Sequence, residues 1–336
     1  MPSAFLCLLL GLYGGLSRMG VLPALVQMPA QYHGALMAVG FLAALIAAER
    51  AISLTNVLMA VASIYFSSGG LLLAIGFKLL TDVLWTGGAL AFMVWTIWMW
   101  LKFRRNFSNL FFTFAAVLLL VGVVFFILGF PRVSYGLAWA GFFVAFIVGE
   151  RMDMLKVTKA GALSYVIAGL SLPVAAAGSL FLSRNLMAAM FGLLLYPAVR
   201  HDVALRFVKR PGFSRYLAVG LGTAYLWLAV STVLWSLSAS LDIILHSVFL
   251  GFVGTMIFTH APIILPAILK TKHIYSPSLY IPFIMLQTST VMRIFSAATL
   301  NVGLWSLSGL VTVFSVIVFI LLGVVKSFQR KTIYTK

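Results

Sequence analysis

The chain has 336 residues, of which 63% are hydrophobic and 9% charged, and its mean hydropathy is +1.12. This excludes an ordinary water-soluble globular domain, in which about 25% of the residues are charged. The single cysteine, Cys7, excludes a disulfide framework, a cysteine-based zinc site and covalent attachment of haem. The formal charge of +17 does not predict nucleic-acid binding, because the basic residues of polytopic membrane proteins collect in cytoplasmic loops.

The hydrophobic segments predict an all-α fold with about twelve transmembrane helices. A hydrocarbon core of about 30 Å takes roughly 20 residues per helix, and the chain divides at charges, prolines and Gly/Ser/Asn clusters. We expect a single transmembrane domain over residues 1–336, in contact with the lipid bilayer and without a large domain outside it. The predicted spans are 3–22, 31–49, 55–77, 82–101, 108–130, 134–150, 161–182, 185–200, 216–238, 242–269, 279–299 and 303–325.

The basic residues predict how these spans are oriented. With the N-terminus inside, 18 of the 23 lysines and arginines fall at the inner ends of the spans and four at the outer ends, while Arg293 lies within span eleven. Positive charge concentrates on the cytoplasmic side of membrane proteins. The sequence therefore predicts a multi-pass protein of the cell inner membrane with both termini in the cytoplasm.

One sequence pattern recurs in spans two, six and ten. Residues 40–50 begin with Gly-Phe and end with Glu-Arg, residues 141–151 repeat this pattern, and residues 251–260 repeat it more weakly and end with histidine. Successive copies are offset by four predicted helices, which favours three parallel four-helix units. Chance similarity among helices rich in Gly, Phe and Ile is the alternative. The internal units would be 1–105, 106–215 and 216–336.

The six acidic residues lie at or near predicted helix ends. On the predicted cytoplasmic side, Glu49-Arg50, Glu150-Arg151 and Arg200-His201-Asp202 place acids beside cations. Such groups either fix the depth of the helices as interfacial ion pairs or form a path by which protons or ions enter. His201 and His273, in the basic loops, are expected to face solvent or lipid.

His33 and His246 begin spans two and ten at matching depths. A neutral imidazole is a common ligand of metals and haem iron, and a histidine inside a membrane is costly without a partner. Two histidines at one depth could bind haem iron from both faces, which predicts a b-type haem. The neighbouring Gly40, Gly251 and Gly254 would allow close approach of a flat macrocycle. The alternative is a hydrogen bond from each histidine to a carbonyl or to Asp242.

His260 lies on the same face of span ten as His246 but about 21 Å deeper, at 1.5 Å per residue. One haem cannot bind both, so His260 is either a ligand of a second site or a structural residue. His33 with Met37 and Met256 with His260 are i, i+4 pairs whose imidazole and thioether groups would suit Cu(I). The candidate metal ligands are therefore His33, His246, His260, Met37 and Met256.

Arg293, inside span eleven, requires an anionic partner. Asp242 or a haem propionate could supply it, so Arg293 joins the two iron-ligand histidines as a cofactor-binding candidate. Pro262 and Pro266 remove backbone N–H donors from the inner half of span ten. They predict carbonyls without a helical partner near Phe258 and Pro262.

Several of these motifs together resemble the NnrS family of bacterial membrane proteins. The resemblance implies a twelve-helix protein that binds haem and copper and is linked to nitric oxide metabolism or nitrosative stress. The NnrS pattern has a second histidine beside the one in span two, whereas this sequence has Tyr32-His33-Gly34, which puts a copper site there in doubt. The matching motifs are His33-Gly34-Ala35-Leu36-Met37, Gly40-Phe41, Glu49-Arg50, Arg200-His201-Asp202 with Arg206, and the segment 246–262.

Haem–copper oxidases are similar at the level of the fold, with twelve helices in three four-helix arcs and low-spin haem ligands on helices two and ten. This similarity implies matching roles for His33 and His246. Spans six and seven contain no histidine, so the cluster that reduces oxygen is missing and oxygen reduction is not expected. Similarity of fold does not by itself establish function.

The sequence thus favours an inner-membrane haem-binding protein in electron transfer or nitric oxide handling, with other membrane redox subunits as candidate partners. Whether it is an enzyme stays open. One alternative is a secondary transporter with a site at broken helices near the membrane midplane. The other is a non-catalytic membrane subunit that handles copper or assists assembly.

Overall fold

The computed structural model describes residues 2–103, 106–237, 240–269 and 275–329. Within these ranges the chain is almost entirely helical and contains no β-strand. An apolar chain satisfies its backbone hydrogen bonds internally when it forms helices, which removes the need for water. The predicted all-α class is confirmed.

Twelve long helices, α1 to α12, occur in the part of the chain that the structure describes, and each coincides with one predicted span. The helix α10 consists of three consecutive parts, Leu241–His246, Ser247–Gly254 and Thr255–Leu269. The long helices are α1 Pro2–Arg18, α2 His33–Ser53, α3 Val57–Ala74, α4 Lys78–Lys102, α5 Phe107–Ile127, α6 Arg132–Arg151, α7 Ala162–Leu180, α8 Arg184–His201, α9 Phe213–Ser236, α10 241–269, α11 Tyr280–Thr299 and α12 Val302–Gln329. Shorter helices are Gln27–Gln31, Met154–Val157, Val203–Lys209 and Pro277–Leu279.

Ten of these helices are long and apolar enough to cross a membrane. The remaining two are α1, with 17 residues, and α8, with 18 residues, arginines in its first and last turns and a proline inside. The number of crossings, about twelve, stays a prediction.

Polar side chains fix where several helices begin. Each accepts a hydrogen bond from a backbone N–H group in the first turn, a group that has no partner inside its own helix. These side chains belong to Asn56, Asn106, Ser183 and Ser240.

The chain divides into two compact units. The first comprises residues 1–150 with Ser179–Leu182. Within it, each helix from α1 to α4 packs against the next, and α1 also packs against α3. Glycines allow the close approach: a Cβ atom on Gly70 would lie 2.9 Å from the Cα atom of Gly40 and 2.7 Å from the Sγ atom of Cys7. Large aromatic rings, among them Trp139, join α6 to α4 and α5.

The second unit comprises residues 151–178 and 183–336. From α8 to α12, each helix packs against the next. An apolar cluster around Tyr216, Phe258, Phe283 and Phe319 holds α9, α10, α11 and α12 together. The predicted division into three internal units stays a prediction.

Candidate functional site

Two helices widen into a π-helical segment beside a predicted iron ligand. In α2 the π-helix is Leu36–Ala43, one turn after His33, and in α10 it is Ser247–Gly254, directly after His246. Both segments have eight residues and contain the Gly-Phe pair of the repeated pattern. The matching part of α6 is a regular α-helix. π-Helices are rare in proteins, and those that occur often lie at functional sites. The two π-helical segments therefore make α2 and α10 the candidate helices for a functional site.

His33 is held against α1 in the first unit. Its Nδ1 atom lies 2.6 Å from the carbonyl oxygen of Gly11. A carbonyl only accepts, so Nδ1 carries the proton and the lone pair of the neutral ring is on Nε2. The ring fits because Gly15 has no side chain: a Cβ atom there would lie 3.0 Å from the Cε1 atom of His33. Nε2 is the nitrogen with which this imidazole could bind a metal.

His246 adopts the same tautomer in the second unit. Its Nδ1 atom lies 2.8 Å from the backbone oxygen of Asp242, one turn earlier in α10, and 3.4 Å from the carboxylate of the same residue. The lone pair of the neutral ring is again on Nε2. Histidines that bind metals usually donate their other ring N–H to a carbonyl or carboxylate, which fixes the tautomer and the ring orientation.

The carboxylate of Asp242 is held in place by Arg293. The guanidinium donates from Nε to Oδ2 at 2.7 Å and from Nη2 to Oδ1 at 2.6 Å. Trp305 donates its indole N–H to Oδ2 at 3.4 Å, and the guanidinium lies over its ring at 4.7 Å. Arg293 is only 6% exposed. Of the two partners predicted for Arg293, the structure contains Asp242, and contact with a propionate stays a prediction.

The glycines expected to admit a macrocycle have other neighbours. A Cβ atom on Gly40 would lie 3.1 Å from the Sγ atom of Cys7, and one on Gly251 would lie 2.7 Å from the indole of Trp227. A Cβ atom on Gly254 would meet nothing closer than 3.5 Å, so the expectation that the three glycines make room for a haem stays a prediction, although Gly40 and Gly251 have these neighbours on their Cβ sides. They allow helices to approach each other within each unit.

The two predicted histidine–methionine pairs differ in their contacts. Met37 packs on α1 beside His33, with its Sδ atom where a Cβ of Gly11 would lie. Met256 is buried and contacts His260 through its backbone oxygen, which accepts from Nδ1 at 2.9 Å. Among the residues described, no group of three or more His, Cys, Asp or Glu is arranged to hold a metal ion. A copper site at either pair stays a prediction.

His260 is bonded through both ring nitrogens. Nδ1 donates to Met256, and Nε2 accepts from the Nη2 atom of Arg151 at the end of α6. A metal at Nε2 would have to displace this guanidinium. The Nε atom of Arg151 is buried without a hydrogen-bond partner.

In the first unit, the arginine at the matching position of the pattern also bonds to a side chain of the next copy. Arg50, at the end of the first copy of the pattern, forms an ion pair with Glu150, at the end of the second copy. Arg151 then bonds to His260, at the end of the third copy. In each unit, the arginine of one copy reaches the acceptor position of the next. This supports the internal repeat at the Glu-Arg pairs.

The environments of the two arginines differ in charge. Arg50 also lies 3.4 Å from Glu49, and the rings of Phe112 and Phe146 lie 5.3 Å from its guanidinium carbon. Two carboxylates thus surround Arg50, whereas the direct partner of Arg151 is a neutral imidazole. The pairs join helices, as expected for the structural interpretation, and a role in the passage of protons or ions stays a prediction.

His201 differs from its prediction. Its ring lies between two hydroxyl groups, with Nδ1 2.8 Å from Oγ1 of Thr158 and Nε2 2.9 Å from Oγ of Ser164. It is therefore bonded rather than turned toward solvent or lipid. Partial burial and the charge of Arg200 lower the pKa of His201 below its usual value, which favours the neutral ring. His273 lies outside the described residues.

The structure confirms that Pro262 leaves a backbone carbonyl without its helical donor. The sequence did not predict which group bonds to that carbonyl. The hydroxyl of Tyr216 donates to the backbone oxygen of Phe258 at 2.9 Å. This replaces the helical hydrogen bond that the proline cannot make. The helix α10 continues through Pro262 and Pro266 to Leu269.

The family of the chain follows from its sequence as a whole. Residues 1–328 match a domain of unknown function, DUF8744. The chain belongs to the DUF8744 family. No curated protein and no solved structure matches it.

Three features of this DUF8744 chain were not predicted from its sequence. One is the pair of π-helices, and a second is Trp305 beneath Arg293. The third is the pair Asp202 and Tyr225, in which the hydroxyl donates to the buried carboxylate at 2.8 Å. A buried carboxylate needs hydrogen-bond donors, and this was the only signal in the sequence. It does not show that the donor is a tyrosine, or which one.

Replacement of Arg293 by glutamine in the DUF8744 chain should lower the free energy of unfolding by about 3 kcal/mol, since it leaves the Asp242 carboxylate without its bidentate partner. The change is measured by unfolding of the detergent-purified protein. In the double variant Asp242→Asn/Arg293→Gln, the free energy of unfolding should fall by less than the sum of the decreases in the two single variants.

The matched control is Lys78→Gln, which removes a more exposed ion pair to Asp82 one turn away on the same helix. Its cost should be below about 1 kcal/mol. If Arg293→Gln costs no more than this control, the pairing of Arg293 with Asp242 does not stabilise α10 and α11.

Proposed function

We propose that this DUF8744 chain is a multi-pass protein of the cell inner membrane that binds haem b, with His33 and His246 as the iron ligands. Its role would be electron transfer, or the handling of nitric oxide that the resemblance to the NnrS family implies. Other membrane redox subunits are the partners that fit this role.

The membrane part of the proposal is supported by the apolar helices and by charge. Ten helices are long and apolar enough to cross a bilayer. Large apolar side chains such as Leu79, Phe181 and Leu226 are more than 60% exposed along them or at their ends, which suits hydrocarbon and not water. The basic residues favour both termini in the cytoplasm.

The haem part is supported by one observation that His33 and His246 share. Each donates its Nδ1–H to a backbone carbonyl, at 2.6 and 2.8 Å. The iron-binding lone pair is therefore on Nε2 in both. Each also stands beside a π-helix in a helix that carries the repeated pattern. The shared ligation of one iron by both residues remains a prediction from the sequence.

The residues around His246 have definable roles in such a site. Asp242 orients the imidazole and raises its basicity as a ligand. Arg293 and Trp305 hold the carboxylate of Asp242 in position. When bound, haem would supply a one-electron couple.

The proposed topology can be tested with single cysteines. Cys7 is the only cysteine and is buried, so Cys7→Ser provides a background for labelling. In intact spheroplasts, a maleimide that cannot cross membranes should label Arg132→Cys, which lies between two predicted spans on the predicted outer side. It should label Lys209→Cys, on the predicted inner side, only after the membrane is opened. Both positions are exposed. The opposite order of labelling would contradict the orientation.

Haem binding can be tested by absorption spectroscopy. Protein purified from haem-replete cells should show a Soret band and contain iron. His33→Ala and His246→Ala should each remove or strongly reduce that band, because each removes a residue proposed to hold the iron.

The matched control is His201→Ala, because His201 is a partly buried histidine bonded to two hydroxyl groups. The Soret band of this variant should be unchanged. A folded wild type without a Soret band would exclude the haem proposal. Copper without iron would favour the copper-handling alternative. Substrate uptake into liposomes that persists without haem would favour a transporter.

A further inference from the structure

The helix α8 carries a shallow apolar groove on an exposed face. The groove has a cavity volume of about 360 Å³ and is lined by Gly192, Leu195, Tyr196, Val199 and Arg200. Tyr196 is 44% and Val199 48% exposed. Apart from the tyrosine hydroxyl and the guanidinium of Arg200, its side chains are apolar. The groove therefore has two chemically different parts, an apolar face and a cationic end.

The floor of the groove is open because Gly192 has no side chain. A Cβ atom there would meet only the Cγ2 atom of Thr232, at 3.5 Å, an ordinary van der Waals distance. Helix packing therefore does not require glycine at this position. A larger side chain can fill the groove without forcing α8 and α9 apart.

Arg200 closes the groove at its charged end. Its side chain is exposed and makes no hydrogen bond or ion pair with any described residue. Arg206 and Lys209, in the following short helix, are exposed as well. The single acid of this stretch, Asp202, is buried and accepts from Tyr225 and from the backbone of Ala204. The surface beside the groove is therefore strongly positive.

We propose that this groove binds an anionic phospholipid, with an acyl chain along Gly192–Val199 and the headgroup phosphate on Arg200. Gly192 and Arg200 are about 12 Å apart along the helix, so the groove can hold part of one acyl chain. Arginine binds phosphate oxygens through charge-assisted hydrogen bonds, and anionic lipids are enriched at the cytoplasmic surface, where Arg200 is predicted to lie. The proposal rests on the membrane insertion proposed above and not on haem.

The test compares the melting temperature of detergent-purified variants during titration with phosphatidylglycerol. The wild type should be stabilised. Arg200→Gln should need about tenfold more lipid for the same shift, as expected for loss of one charge-assisted contact. Gly192→Leu should lose most of the response, because leucine fills the floor, whereas Gly192→Ala should keep it.

Arg184→Gln, at the first residue of the same helix, is the matched control and should respond like the wild type. Arg200→Lys keeps the charge and should retain part of the response, which covers the case of a poorly folding glutamine variant. Equal responses of Arg200→Gln, Gly192→Leu and the wild type would overturn the proposal. So would stabilisation by inorganic phosphate alone that equals the effect of the lipid. Recovery of the wild type in the membrane fraction checks insertion separately.

Discussion

Guanidinium groups of this chain bond to side chains that are distant in the sequence, because neither hydrocarbon nor an apolar core can solvate a guanidinium. Arg50 pairs with Glu150, Arg151 with His260 and Arg293 with Asp242. The first contact joins α2 to α6, and the last joins α10 to α11. The last of them also positions the residue whose backbone and carboxylate orient His246. The geometry of that candidate ligand therefore depends on how a buried charge is satisfied.

The first two contacts occupy matching positions of the repeated pattern. The same arginine position of the pattern reaches the same acceptor position in each unit, as the predicted internal repeat would require. The acceptor is a carboxylate in the first unit and an imidazole in the second, so the surroundings of the two arginines differ in charge. The π-helices add a second difference, since they occur in α2 and α10 and not in α6.

The sequence was sufficient for the helices, because apolar runs of about 20 residues bounded by charges leave little choice. It also gave Asp242 as one of two candidate partners of Arg293 and predicted the freed carbonyl at Phe258, since both follow from local chemistry. It did not predict the π-helices, which depend on a shift of backbone hydrogen bonds without a side-chain signature. Trp305 and Tyr225 were missed because they lie 63 and 23 residues from their carboxylate partners. The neighbours of Gly40 and Gly251 likewise depend on tertiary packing.

The central claim is that His33 and His246 are held as neutral rings with the lone pair on Nε2, the nitrogen that would bind iron. Nitrogen NMR of the haem-free protein, labelled with ¹⁵N-histidine and assigned through His33→Gln and His246→Gln, measures this tautomer directly. Protonation of Nδ1 in both rings is the predicted result. Protonation of Nε2 in either ring would contradict the account, because that ring could not bind iron through Nε2.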